Sequence, residues 1–87
     1  MTTLHYIKVS DVEQNFCFLE VSISKNEAPF MDIRISDDRK MSFVIYSGQE
    51  EISFSPQDWL EIHEKATSFY KAELENEDSF DNWSKSL

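Results

Sequence analysis

Two histidines, His5 and His63, are the side chains whose unperturbed titration falls nearest neutral pH. His5 lies in the expected first strand and His63 on the expected helix, and no serine or cysteine sits in a nucleophile elbow. Cys17 is the sole cysteine, so no internal disulfide can form. It alternates with Leu19, Val21 and Ile23, which reads as a buried small hydrophobe and not a reactive thiolate. Asp37-Asp38 could ligate a cation, but the two acids fall in a polar turn, where solvated carboxylates are the simpler reading. The single glycine, Gly48, leaves no room for a nucleophile elbow or a phosphate loop. No Cys-x-x-Cys, His-x-x-x-His or calcium-loop pattern occurs. The expectation is a non-enzymatic chain with no catalytic residues, no cofactor and no metal.

The elements that would position these residues are legible from periodicity. Residues 4–9 read as a first strand and 16–24 as a second, with Cys17, Leu19, Val21 and Ile23 on one face. Residues 30–36 form a third, with Met31, Ile33 and Ile35 opposite Phe30, Asp32 and Arg34. Asp37-Asp38-Arg39-Lys40 is a hairpin-length turn, and Met41 to Tyr46 is apolar on both faces, as a central strand would be. Ser47-Gly48-Gln49-Glu50 reads as the next turn and Glu51 to Phe54 as a short last strand. Ser55-Pro56-Gln57-Asp58 is a strong helix start, with Ser55 as N-cap and Pro56 at the first helical position. Trp59, Ile62, Ala66 and Phe69 then make one apolar stripe on a helix expected to run to about Leu74.

The fold class is therefore α+β. It is a single domain over residues 1–87, with an antiparallel sheet of four to five strands (about 4–54) followed by one long helix (about 56–74) packed on one face. Asn76-Glu77-Asp78 reads as a break before a short acidic tail over 75–87. In that tail Phe80 and Trp83 either fold back or anchor a partner. The start at Met1 carries no basic stretch leading into an apolar run, so a signal peptide is not expected, and a cytoplasmic location is.

Seventeen acids against eight bases give a net charge of −9. Residues 1–50 carry eight acids and five bases, and residues 51–87 carry nine and three. This balance disfavours nucleic-acid backbones and anionic membranes, and it speeds the capture of basic proteins. Acidity for solubility alone is the competing explanation. The candidate contact residues are the acids Asp37, Asp38, Glu50, Glu51, Glu75, Glu77, Asp78 and Asp81, with the aromatics Phe16, Phe18, Phe30 and Tyr46. If Cys17, Leu19, Val21 and Ile23 face the helix, those aromatics face away from it. There they would serve as interface anchors, as single-strand stacking platforms or as a surface covered by the tail or a second subunit, in a monomer or a homodimer.

Two resemblances bear on these options. The apolar strand followed by Ile52-Ser53-Phe54-Ser55-Pro56-Gln57-Asp58-Trp59 resembles the strand-to-helix junction of Whirly/PC4-like single-stranded nucleic-acid-binding domains, over roughly residues 16–74. That implies a Whirly-like fold, and as one alternative function a homodimeric or nucleic-acid-binding regulator. The basic strand-face residues that hold phosphates in that group are largely missing here. Phe18 to Ser24, Glu27 to Ile33 and Ile52 to Trp59 together look like small immunity proteins of bacterial contact-dependent growth inhibition and related polymorphic toxin systems. That resemblance implies an antitoxin that covers the basic active site of a cognate nuclease toxin, an RNase of EndoU type among the candidates.

Overall fold

A computed structural model describes residues 4–10, 13–24, 28–46 and 51–85, with side chains described as far as residue 79. Glu50 and the glycine turn at 47–50 lie outside the described residues. The alternating stretches form β1 (His5–Val9), β2 (Phe18–Ser22), β3 (Met31–Ile35) and β4 (Met41–Ile45), joined as an antiparallel meander in the order β1-β2-β3-β4. One helix, α1 (Pro56–Lys85), follows and packs on one face.

The register assigns every side chain to a face. Lys8 pairs with Leu19, Leu19 with Ile33 and Ile33 with Phe43. Tyr6, Val21, Met31 and Ile45 form the parallel row. Side chains alternate along a strand, so these rows share the helix side. Val21, Met31 and Ile33 are fully buried there against Ile62 and Ala66, with Phe69 completing the stripe. The 4-3-4 spacing of Ile62, Ala66, Phe69 and Glu73 gives α1 its narrow buried face. Glu73 enters that face because Lys8 reaches it from β1, Nζ lying 2.8 Å from Oε1. Glu73 raises the Lys8 ammonium above its usual range.

The helix start is as the sequence specifies. The Asp58 amide donates to Ser55 Oγ at 3.0 Å, and the Ser55 amide donates to Asp58 Oδ2 at 3.1 Å. Two otherwise orphaned amides are thus satisfied reciprocally. Ser55→Ala is expected to cost about 1 kcal/mol, seen as a lower urea midpoint at unchanged slope.

The structure corrects several expectations. β4, read as a central strand from its apolar faces, is an edge strand paired with β3 alone, because residues 51–54 add no strand beside it. α1 does not stop near Leu74 but continues to Lys85, through Asn76-Glu77-Asp78. Helix propensity is a weak local prior, and Arg39 ties Glu77 and Asp78 to the β3–β4 turn in the helical conformation. Residues 51–54 do not form a strand, and no backbone hydrogen bond joins them to β4. The chain spends this segment on packing instead, with the Phe54 ring 5.3 Å from Phe30 and 6.5 Å from Trp59. Phe16 and Phe30 do not lie on the open face. They are 4% and 3% exposed and belong to the core. Both precede their strands, in bends where strict alternation no longer holds. Cys17, in the same bend region, packs against the core but is only half-buried.

Candidate protein-binding surfaces

The β3–β4 hairpin builds one end of the molecule. The Arg39 amide donates to Ser36 O at 2.8 Å and the Ser36 amide donates to Lys40 O at 2.9 Å. This is a three-residue loop whose last member takes the left-handed conformation, with Arg39 at φ 66°. An arginine costs more here than glycine would. What it supplies is a fork aimed at α1. Nη1 lies 2.7 Å from Glu77 Oε1 and 3.1 Å from Asp78 Oδ1, and Nη2 lies 3.3 Å from Asp78 Oδ2. The Tyr70 hydroxyl donates to the Arg39 carbonyl from the preceding turns of the helix. Asp78, and after it Glu77, hold the Arg39 guanidinium above its already high range. Asp38 is held by the Ser36 hydroxyl, and Asp37 accepts from Asn15 Nδ2 at 3.0 Å. That last bond draws in the bend carrying Glu13.

The result is an acidic pole. Asp37, Asp38, Glu77 and Asp78 meet around Arg39 and Lys40, Asp38 lying 3.6 Å from Lys40 Nζ, and Glu75 precedes Asp78 by one helical turn on the exposed side of α1. Two groups of candidate acids that are far apart in sequence therefore meet in space. Glu77 and Asp78 are partly spent on Arg39, while Asp37, Asp38 and Glu75 are exposed. Glu51 is exposed but lies on the segment entering α1, close to Phe54 and far along the chain from the pole. Asp81 belongs to α1, with its side chain outside the described residues, as are those of Phe80 and Trp83.

The sheet face away from α1 presents a second arrangement. Phe18, Glu20, Asp32, Arg34, Ser42 and Val44 share it with Ile7 and Val9. The Arg34 guanidinium stacks 4.3 Å from the Phe18 ring centroid, and its Nε and Nη2 donate to Asp32 Oδ2 at 3.0 and 2.7 Å. Asp32 is fully buried, and its Oδ1 takes no hydrogen bond of normal geometry among the described residues. Asp32 and Arg34 share this face as their alternation implies, but they are not among the candidate contact residues. Their i,i+2 spacing brings the two side chains within reach of each other, which is the local signal for the pair.

Tyr46 closes this cluster, its hydroxyl pushed up to about 12 by burial, by hydrogen bonding toward Asp32 and by the charges of Asp32 and Glu20. On the helix side Tyr6 behaves alike. Its hydroxyl donates to Glu61 Oε2 at 2.7 Å, and burial first, then Glu61, raise it well above the usual range. Both folded-state values exceed the unfolded value near 10, so the folded chain retains protons that the unfolded chain releases. Their stability contribution is complete below about pH 10 and is lost as pH rises from there through about 12. Tyr46→Phe should flatten the alkaline fall in urea midpoint over that window, and Tyr6→Phe with Tyr46→Phe should flatten it further.

A shallow cavity of about 190 Å³ opens beside this cluster, lined by Cys17, Phe18, Arg34 and Ser42 among others. Its lining holds a thiol and no general base, and ligand pockets usually start near 300 Å³. Among the described residues, no group of three or more His, Cys, Asp or Glu is placed to hold a metal ion. Among the same residues, no helix is long and apolar enough to cross a membrane.

Compared with known proteins, the chain matches no family model, no curated protein and no solved structure. The functional reading therefore rests on the geometry above.

Proposed function

We propose that this chain is a non-enzymatic, cytoplasmic immunity protein that binds a cognate nuclease toxin, an RNase of EndoU type among the candidates, and covers its basic active site. The observation that carries the reading is the acidic pole, where β3–β4 turn acids and α1 acids converge around Arg39. A nuclease site is cationic because it must hold phosphates. A carboxylate cluster held by backbone turns and a helix offers it a preformed substitute for those phosphates. The arrangement needs no catalytic group on this chain. The Whirly-type alternative, single-strand binding on the open sheet face, is weaker because the one guanidinium stacked on that face is already committed to Asp32.

The test begins with the gene next to this one: a nuclease domain encoded there is co-expressed with this chain. Restored growth, and RNA left intact when the two purified proteins are mixed, are the expected results. Continued killing by that nuclease, combined with oligonucleotide binding by the purified chain at low salt, would replace this reading with the single-strand binder.

A further inference from the structure

β4 is an edge strand, paired with β3 on one side only. The phase of its hydrogen bonds is fixed at both ends. The Tyr46 amide donates to Phe30 O at 3.0 Å, and the Ser36 amide donates to Lys40 O at 2.9 Å. In an antiparallel ladder alternate pairs exchange bonds, so Ser42 and Val44 face β3 while the amides and carbonyls of Met41, Phe43 and Ile45 point outward. Among the described residues, no backbone hydrogen bond outside the sheet takes these groups up.

The composition of this edge is unusual. Met41-Ser42-Phe43-Val44-Ile45 has no ionisable side chain, whereas β1 has His5 and Lys8, β2 has Glu20, and β3 has Asp32 and Arg34. Solvent-facing edges are normally blunted by charge, proline or a bulge, and β4 has none of these within its span. Beside it, Ile45 is 66% exposed and Trp59 is 45% exposed, with the Trp59 ring 5.8 Å from Phe43.

We propose that β4 pairs antiparallel with β4 of a second copy of this chain, about a two-fold axis at Phe43. Two copies each carrying −9 repel over most of their surface, and β4 is the strand where they can meet without opposing charges. The register is self-complementary. Phe43 exchanges both backbone bonds with Phe43 of the second copy, and Met41 does so with Ile45 of the second copy. Every outward group described above is thereby satisfied. The axis stands perpendicular to the sheet, so both α1 helices lie on the same side and the exposed Ile45 and Trp59 of each copy are covered across the seam. The turn acids lie at the two ends of the seam, outside the paired residues, and this inference does not depend on the toxin reading.

Sedimentation of the full chain tests it, with Ile45→Lys to charge the seam and Ile7→Lys, 58% exposed on the opposite edge strand, as control. The expected result is twice the 10.3 kDa chain mass for the native protein and Ile7→Lys, and a single chain mass for Ile45→Lys with an unchanged circular dichroism spectrum. Hydrogen exchange should show the Met41, Phe43 and Ile45 amides protected in the native protein and unprotected in Ile45→Lys. A native protein that sediments as a single chain at its highest soluble concentration overturns the proposal. So does a dimer that survives Ile45→Lys, whatever Ile7→Lys does. Protection of those amides only after a nuclease domain is added also overturns it and assigns the edge to that partner's strand.

Discussion

Arg34→Met is expected to lower folding stability by about 3–5 kcal/mol, the largest single effect among the polar residues of this chain. The reason is asymmetry of burial. The Arg34 side chain is 40% exposed and can turn to water, whereas that of Asp32 is completely buried. Removing the guanidinium strands a carboxylate whose Oδ1 already lacks a well-formed hydrogen bond. Asp32→Leu leaves only a charge that solvent can reach, so it should cost far less. Combining Asp32→Leu with Arg34→Met should recover most of the loss, because no uncompensated charge then remains. A domain of this size has a total stability of about 5–13 kcal/mol, so Arg34→Met alone should bring the chain near its folding threshold. Urea midpoints of the two single variants and the double variant read the cycle directly. A cost for Arg34→Met within about 0.5 kcal/mol, the scale of a surface substitution, would mean that the pair is solvated after all.

The parts of this fold that the sequence announces are those governed by short-range chemistry. Ser55, Pro56 and Asp58 define the helix start because capping is decided within four residues. The alternation in β2 and β3 predicts the core rows because a strand has no other way to place Leu19, Val21, Met31 and Ile33. The errors occur where a distant partner decides. Glu77 and Asp78 look like a helix break in isolation, and Arg39, 38 and 39 positions away, makes them part of a helix. Phe30 reads as open-face by parity, yet the Phe54 ring reaches it from beyond β4 and places it in the core. The candidate site was legible as a list of acids, but not as a place. Nothing local to Asp37 or Glu75 says that the β3–β4 turn and the last third of α1 share one end of the molecule.

Location, and not total charge, is what the functional reading stands on, and charge reversal can separate the two. Asp37→Lys with Glu75→Lys alters the acidic pole without touching the Arg39 contacts. Glu51→Lys with Glu64→Lys makes the same change away from the pole. Two acid-to-lysine exchanges add four units, so each double variant carries −5 in place of −9. If the pole steers capture of a cationic nuclease, the first pair should slow association by about 10- to 1,000-fold at low salt, and the second by far less. The difference should shrink as ionic strength rises and the Debye length falls to about 8 Å at 0.15 M. Dissociation should change less than association, because exposed rim charges mainly steer encounter while desolvated contacts set residence time. Stopped-flow mixing with the nuclease domain at two salt concentrations measures all four quantities. Equal slowing by both pairs would reduce the acidic pole to one part of a diffuse field. No slowing by either pair would remove electrostatics from the mechanism, and the search for anchors would move to Phe18 and Arg34 on the open sheet face, where a stacked and rigid guanidinium is already in place.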